Sequence, residues 1–176
     1  MQQPIVISGA GILGCYISCA LSLQGIDSIV LEKKDDEVED SVRTITLNPF
    51  SKNLLDKIGV ENDYSMINKM EVKDFDGTGK IVFKSSEIGM DHLAYVSDFA
   101  TLLMAVRKKA SEKILYKEEI IDIDKKGDLN EVTLSSGKVI KTNLIISSEG
   151  KNSKLANKIP KSDKDYFQTA LTFLAS

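Results

Sequence analysis

Residues 5–32 constrain this chain most: a short apolar run, three glycines at turn spacing, a helical stretch, and a second apolar run closed by an acid. Pro4-Ile5-Val6-Ile7-Ser8 reads as a β-strand leading into Gly9-Ala10-Gly11-Ile12-Leu13-Gly14, and Gly25 to Glu32 supplies the next strand. Each part has a task in holding a dinucleotide. Gly9 permits the tight turn, Gly11 leaves no Cβ in the path of a pyrophosphate, and Gly14 lets the helix approach the strand. The N–H groups opening the helix face the anion, which brings the backbone of Ala10, Ile12 and Leu13 into the candidate site. Glu32, with Lys33 beside it, falls 18 residues after Gly14. A carboxylate there can accept hydrogen bonds from a ribose, and it disfavours a 2′-phosphate by repulsion.

A membrane or secretion segment is the competing reading. The first 26 residues carry no charge, long enough for a span of roughly 20 residues. But no basic residue precedes the apolar run, and three glycines with Gln24 suit a soluble βαβ unit better. No later stretch is apolar enough to span.

With 176 residues the chain fits one ordinary domain, able to bury about 70% of its unfolded surface. Its 23 basic residues are outnumbered by 26 acids and gather on no evident face, so no nucleic-acid partner is expected. Cys15 and Cys19 stand one helical turn apart; two cysteines exclude a disulfide framework and read as small buried side chains. There is no Cys/His ligand cluster, and His92 falls in an expected loop without a chemical partner, so no metal is expected.

Lys33 to Asp40 is a charge run suited to a solvated loop. Asn48-Pro49 then signals a helix with Leu54, Leu55 and Ile58 on one face and Gly59 as its stop. From Asn68 the period becomes alternating: Met70, Val72 and Phe75, then Ile81 and Phe83, flank the turn Asp76-Gly77-Thr78-Gly79. Ser97-Asp98 caps a helix carrying Phe99, Leu102, Leu103 and Val106. A short strand at Ile114–Tyr116 follows, and a meander runs from Glu119 to Lys141. Asn143-Leu144-Ile145-Ile146-Ser147 reads as a strand covered on both faces. Ser148-Glu149-Gly150 and a short helix near Ser153 to Asn157 come next. Acidic pairs such as Asp35-Asp36 and Glu118-Glu119 are expected to face solvent.

In this order the parts resemble the N-terminal portion of the single-component FAD-dependent aromatic hydroxylases, above all the ubiquinone-biosynthesis branch. Gly9 to Gly14 with Glu32 matches the ADP-binding fingerprint. Arg43 followed by Thr46-Leu47-Asn48 is similar to the segment whose arginine meets the flavin side of the cofactor. Met70-Glu71-Val72-Lys73-Asp74-Phe75-Asp76-Gly77 resembles the branch's M-x-V-x-D-x-D-G strand and turn, and Leu93-Ala94-Tyr95-Val96 its approach to a helix. Ser147-Ser148-Glu149-Gly150-Lys151-Asn152-Ser153 is similar to the G-A-D-G-x-x-S element, and Tyr166-Phe167-Gln168-Thr169-Ala170 to the start of the substrate domain. Three departures stand out: Glu149 replaces an aspartate, Ala156 an arginine, and Phe99 a basic residue common in relatives.

The resemblance implies an α/β, Rossmann-like FAD/NAD(P)-binding fold with inserted antiparallel β elements. It places residues 1–67 and 94–160 in a discontinuous FAD-binding domain, and 68–93 with 164–176 among partial substrate-domain strands. It implies FAD as cofactor, NAD(P)H as electron donor, and a small aromatic or quinone substrate hydroxylated with O₂. FAD contacts are expected from the glycine-turn residues, Glu32, Lys33, Arg43, Glu149 and Gly150; no catalytic residue is assigned. The family's third motif, a glycine–aspartate pair, falls beyond Ser176. A C-terminally truncated unit is therefore expected, with apolar surface exposed near Leu144-Ile145-Ile146 and a complementary C-terminal fragment as partner. A cytoplasmic chain peripheral to the inner membrane, or held in a protein complex, follows from the greasy substrate alone. Two other readings stay open: a catalytically incompetent nucleotide-binding module or half of a split enzyme, and an NAD-dependent reductase.

Overall fold

The computed structural model describes residues 3–38, 42–74, 76–155 and 167–169. The expectations attached to Phe75, Ala156, Asn157, Tyr166 and Ala170 lie outside these residues, as does most of 164–176. In chain order the elements are β1 (Ile5–Ser8), α1 (Ile12–Leu23), β2 (Ser28–Glu32), β3 (Thr44–Leu47) and α2 (Pro49–Lys57). Then come β4 (Ser65–Ile67), β5 (Lys69–Lys73), β6 (Lys80–Lys84), β7 (Ala94–Asp98) and α3 (Phe99–Ala110). The last are β8 (Ile114–Tyr116), β9 (Ile120–Lys126), β10 (Leu129–Leu134), β11 (Val139–Thr142) and β12 (Ile145–Ser147).

Four strands form a parallel sheet in the order β12-β1-β2-β8. Their side chains alternate between two apolar layers. Ile7, Val30 and Ile114 pack with Leu102, Val106 and Ala110 of α3 and Cys15 of α1 on one face. Val6, Leu31 and Leu115 pack with Val132, Leu134 and Ile140 of the antiparallel meander β9-β10-β11 on the other. Each fully buried Val, Leu or Ile contributes about 1.5–3 kcal/mol. A one-residue slip would send every one to the wrong layer, so the register is strongly specified. The fold is Rossmann-like α/β with antiparallel additions: β3-β7-β4 forms a second sheet, and β5-β6 a hairpin of its own.

Local chemistry fixes the helix ends. Asn48 Oδ1 accepts the Ser51 N–H at 2.7 Å ahead of α2, with Pro49 at the first helical position, and Gly59 closes that helix at φ +72°. Asp98 Oδ1 accepts the Thr101 N–H at 2.7 Å to start α3. Ser18 and Ser28, buried where α1 meets β2, satisfy one another at 2.8 Å.

The strand read as covered on both faces is β12, an edge among the described strands; Leu144 before it is 50% exposed and Ile145 and Ile146 are half-buried, in line with the apolar exposure expected there. A helical turn spans Gly150–Asn152, after which Ser153 returns toward Glu149; the helix expected near Ser153 to Asn157 runs outside the described residues. Cys15 is fully buried, and that burial pushes its thiol up to about 12, which leaves it an inert core side chain.

The approach of α1 to β1 depends on Gly14. A Cβ there would collide with the Gly9 carbonyl oxygen and come 2.5 Å from Ser148 Oγ. Gly14→Ala should lower stability by about 3 kcal/mol, near the upper end of overpacking costs; urea denaturation of the purified chain measures it.

Candidate functional site

At the carboxyl ends of β1, β2 and β12, where open α/β sheets take their ligands, the chain opens a crevice of about 340 Å³. Its wall contains Gly9, Gly11, Glu32, Lys33, Arg43, Glu149 and Gly150 from the sequence reading. Ser8, Leu31, Phe99, Arg107, Glu118, Glu119, Ser148 and Lys154 complete it. The other fingerprint residues stand behind this wall. Ala10 is fully buried, Ile12 packs on the helix-side core, Leu13 is 61% exposed, and Gly14 supports the turn from below. A wider hollow of about 1030 Å³ lies behind α1 and α3, lined by Ser22, Lys109 and Lys113. It contains none of the residues that the fingerprint names.

The three glycines have separable roles. Gly9 adopts φ +102°, and a Cβ on it would stand 2.7 Å from the Ser148 carbonyl oxygen; the turn itself demands glycine. Gly14 is demanded by helix packing. Gly11 has an ordinary φ of −73°, and a Cβ there would meet nothing within 4 Å. The protein leaves that space open directly in front of α1, whose N-terminus has no side-chain cap. A diphosphate fits there, against N–H donors and the positive end of the helix dipole.

Glu32 closes β2 and faces the crevice. Its Oε2 accepts the Ala10 N–H at 3.1 Å, and its Oε1 the Lys34 N–H at 3.0 Å. Arg107, which sequence reasoning missed, reaches the same carboxylate: Nη2 lies 3.4 Å from Oε2, and Nε donates to the Ala10 carbonyl at 2.9 Å. The signal was present. Position 107 follows Ala100 and Leu103 on the core face of α3 and precedes Ala110, so an arginine there interrupts an apolar stripe.

Glu149 sits across the crevice, its carboxylate engaged inside the protein. Ser8 Oγ donates to Oε1 at 2.5 Å and Ser153 Oγ to Oε2 at 2.7 Å. Burial would raise its pKa, but these hydroxyls and the N–H groups of Leu155 and Lys154 outweigh that and hold it below the ordinary carboxylate range. Arg43 lies with its guanidinium 4.1 Å from the centroid of the Phe99 ring, a cation–π contact. Glu118 and Glu119 keep solvent access at the rim of the crevice, where Glu118 accepts from Ser135 and Ser136 and Glu119 pairs with Lys154 at 2.8 Å. Lys117 just before them adopts φ +59°, which turns the chain so that the Glu118 N–H reaches the Glu32 carbonyl at 3.0 Å.

A glycine turn open at Gly11, an uncapped helix start and a strand-end carboxylate are the parts that the ADP half of FAD requires. Residues 2–173 match the FAD binding domain family. The chain belongs to that family. It is 26% identical over 197 residues to ubiquinone biosynthesis monooxygenase COQ6, mitochondrial, of Danio rerio, covering 95% of this chain and 40% of that protein. It is also 26% identical over 170 residues to 3-demethoxyubiquinol 3-hydroxylase of Escherichia coli (strain K12), covering 88% and 43%. Among solved structures, a mutant of PqsL from Pseudomonas aeruginosa superposes with a TM-score of 0.80 at 19% identity, over 94% of this chain and 48% of that one. The p-nitrophenol 4-monooxygenase PnpA from Pseudomonas putida DLL-E4 gives 0.73 at 16%, over 90% and 43%. At these identities the structures establish the fold. The chain spans less than half the length of these relatives, and what it shares with them is an FAD-binding domain. Among the described residues no helix is long and apolar enough to cross a membrane, and no His/Cys/Asp/Glu group could hold a metal.

Because the folded pKa of Glu149 is depressed, its tie between β1 and the turn after β12 contributes fully above the unfolded value. That contribution is lost as pH falls through the folded value. Glu149→Gln should therefore melt below wild type at neutral pH, and the gap should close as pH falls below the ordinary glutamate range. Thermal melts across that range test the sign.

Proposed function

We propose that the chain is the FAD-binding portion of a flavin-dependent monooxygenase that hydroxylates a polyprenyl phenol or quinone precursor in ubiquinone biosynthesis, with NAD(P)H as electron donor. The open space in front of Gly11, facing the Glu32 carboxylate, carries the nucleotide part of this reading. Two relatives named for ubiquinone chemistry support the substrate class. When bound, FAD supplies electron transfer from NAD(P)H and the activation of O₂ for ring hydroxylation.

The chain's own groups bind and orient. The N-terminal turn of α1 and the glycine turn take the diphosphate, and Glu32 accepts from the ribose. Arg43, braced on Phe99, supplies positive charge at the far wall. Glu149 holds the ends of β1 and β12 at one spacing so that the crevice keeps its shape. Hydroxylation as a whole also needs the length that the relatives carry beyond this match, supplied in the same polypeptide or as a complementary fragment.

The nucleotide reading is tested by titrating FAD into wild type and Gly11→Ala and following quenching of flavin fluorescence. An alanine at Gly11 meets open space at an ordinary φ, so stability should stay within about 1 kcal/mol. The methyl occupies the space left for the diphosphate, and FAD should bind at least ~10-fold more weakly, or about 1.4 kcal/mol. Equal FAD affinity in the two proteins would sink the assignment of this turn.

A further inference from the structure

We propose that Arg107 is the positioning residue of the adenosine end of the crevice, fixing the glycine turn and the Glu32 carboxylate in one frame. Three contacts make a closed cycle: Arg107 Nε to the Ala10 carbonyl at 2.9 Å, the Ala10 N–H to Glu32 Oε2 at 3.1 Å, and Glu32 Oε2 to Arg107 Nη2 at 3.4 Å. Each corner belongs to a different element: α3, the turn after β1, and the end of β2. The guanidinium also lies 5.7 Å from the Tyr116 ring centroid on β8, so a fourth element limits its movement.

Stability is a poor reason for this arrangement. The side chains of Arg107 and Glu32 are 11% and 13% exposed, and Nη1 is buried with no hydrogen-bond partner among the described residues. A buried ion pair of this kind is often replaced by apolar groups with no loss of stability. What an apolar side chain cannot do is hold two atoms of a planar fork on two acceptors at once, one of them the peptide next to Gly11. The cycle therefore pre-organises the peptide that opens the diphosphate space and the acid that meets the ribose, before any ligand arrives.

The ligand arm of this proposal rests on the nucleotide reading; the geometric arm does not. The test compares wild type, Arg107→Met, Arg107→Lys, Glu32→Gln and the Arg107→Met/Glu32→Gln double variant in the full chain. Exchange of the Ala10 amide hydrogen is read by NMR without ligand, with the Val132 amide in the meander as fold control. Affinity for ADP is read by calorimetry.

Arg107→Met should speed Ala10 exchange at least ~10-fold while Val132 stays protected, and weaken ADP by about 10-fold. Arg107→Lys keeps the charge without the fork, so it should fall between; it replaces the methionine variant if that one does not fold. The double variant should bind ADP no worse than Glu32→Gln alone, because both act through one cycle. Unchanged Ala10 exchange with ADP affinity within twofold of wild type overturns the proposal, as do additive losses in the double variant. If wild type binds no ADP yet Arg107→Met frees the Ala10 amide, the positioning role stands and the nucleotide reading falls.

Discussion

The close approach of α1 to the carboxyl ends of β1 and β12 is the constraint on which the rest of the molecule depends. Ser148 Oγ donates to the carbonyls of Ser8 and Gly9, both at 2.9 Å, while Gly14 rests directly beneath the Gly9 carbonyl. A turn, a helix start and the end of the strand from the other end of the chain thus meet at one point, with only the small Ser148 side chain between them. Any Cβ at Gly9 or Gly14 would separate them. The distance of the helix from the sheet, and so the location of its positive end, is set there rather than by the amphipathic face of α1. With no charged residue in that helix, its direction comes from packing on both sides.

The three-layer sandwich follows from that placement. α1 and α3 cover one face of the parallel sheet and the meander covers the other, so the polar business of the four strands is confined to their ends. The carboxyl ends carry Ser8, Glu32 and Ser147 in matched register: Ser8 stands beside Leu31 on one side and Ser147 on the other. Strand-end polar groups from opposite termini of the chain are thereby neighbours. Hydroxyls, a carboxylate and an arginine then satisfy one another around a gap, which an apolar layer could not do.

The period-2 runs, the glycine turn, the capped starts of α2 and α3 and the β5-β6 hairpin were legible because each is set by residues adjacent in sequence. Asn48-Pro49 and Asp98 declare helix starts by their own side chains, and Glu32 was found because its spacing from Gly14 is a property of the βαβ unit. β4 was missed: Ser65-Met66-Ile67 is too short to show alternation and exists only because β7 offers it a partner. The meander was read as strands, but its role as the cover for Val6 and Leu31 depends on contacts more than a hundred residues apart. Arg107 escaped for the same reason. Its partners lie 97 and 75 residues away, and only a charge on an apolar helix stripe hinted at them.

The two acids of the crevice show why residue type and strand-end location alone do not assign a role. Glu32 closes β2, Glu149 stands two residues past the end of β12, and both line one gap. Glu149 has each oxygen bound to a hydroxyl of its own chain, Ser8 on one side and Ser153 on the other, and its depressed pKa records that internal satisfaction. Glu32 offers about four acceptor positions. Ala10 and Arg107 share Oε2 and Lys34 takes one position on Oε1. Among the described residues Oε1 therefore keeps acceptor capacity, on a carboxylate oriented by Ala10, Lys34 and Arg107. One carboxylate is used up inside the protein, while the other retains acceptor capacity at the wall of the crevice.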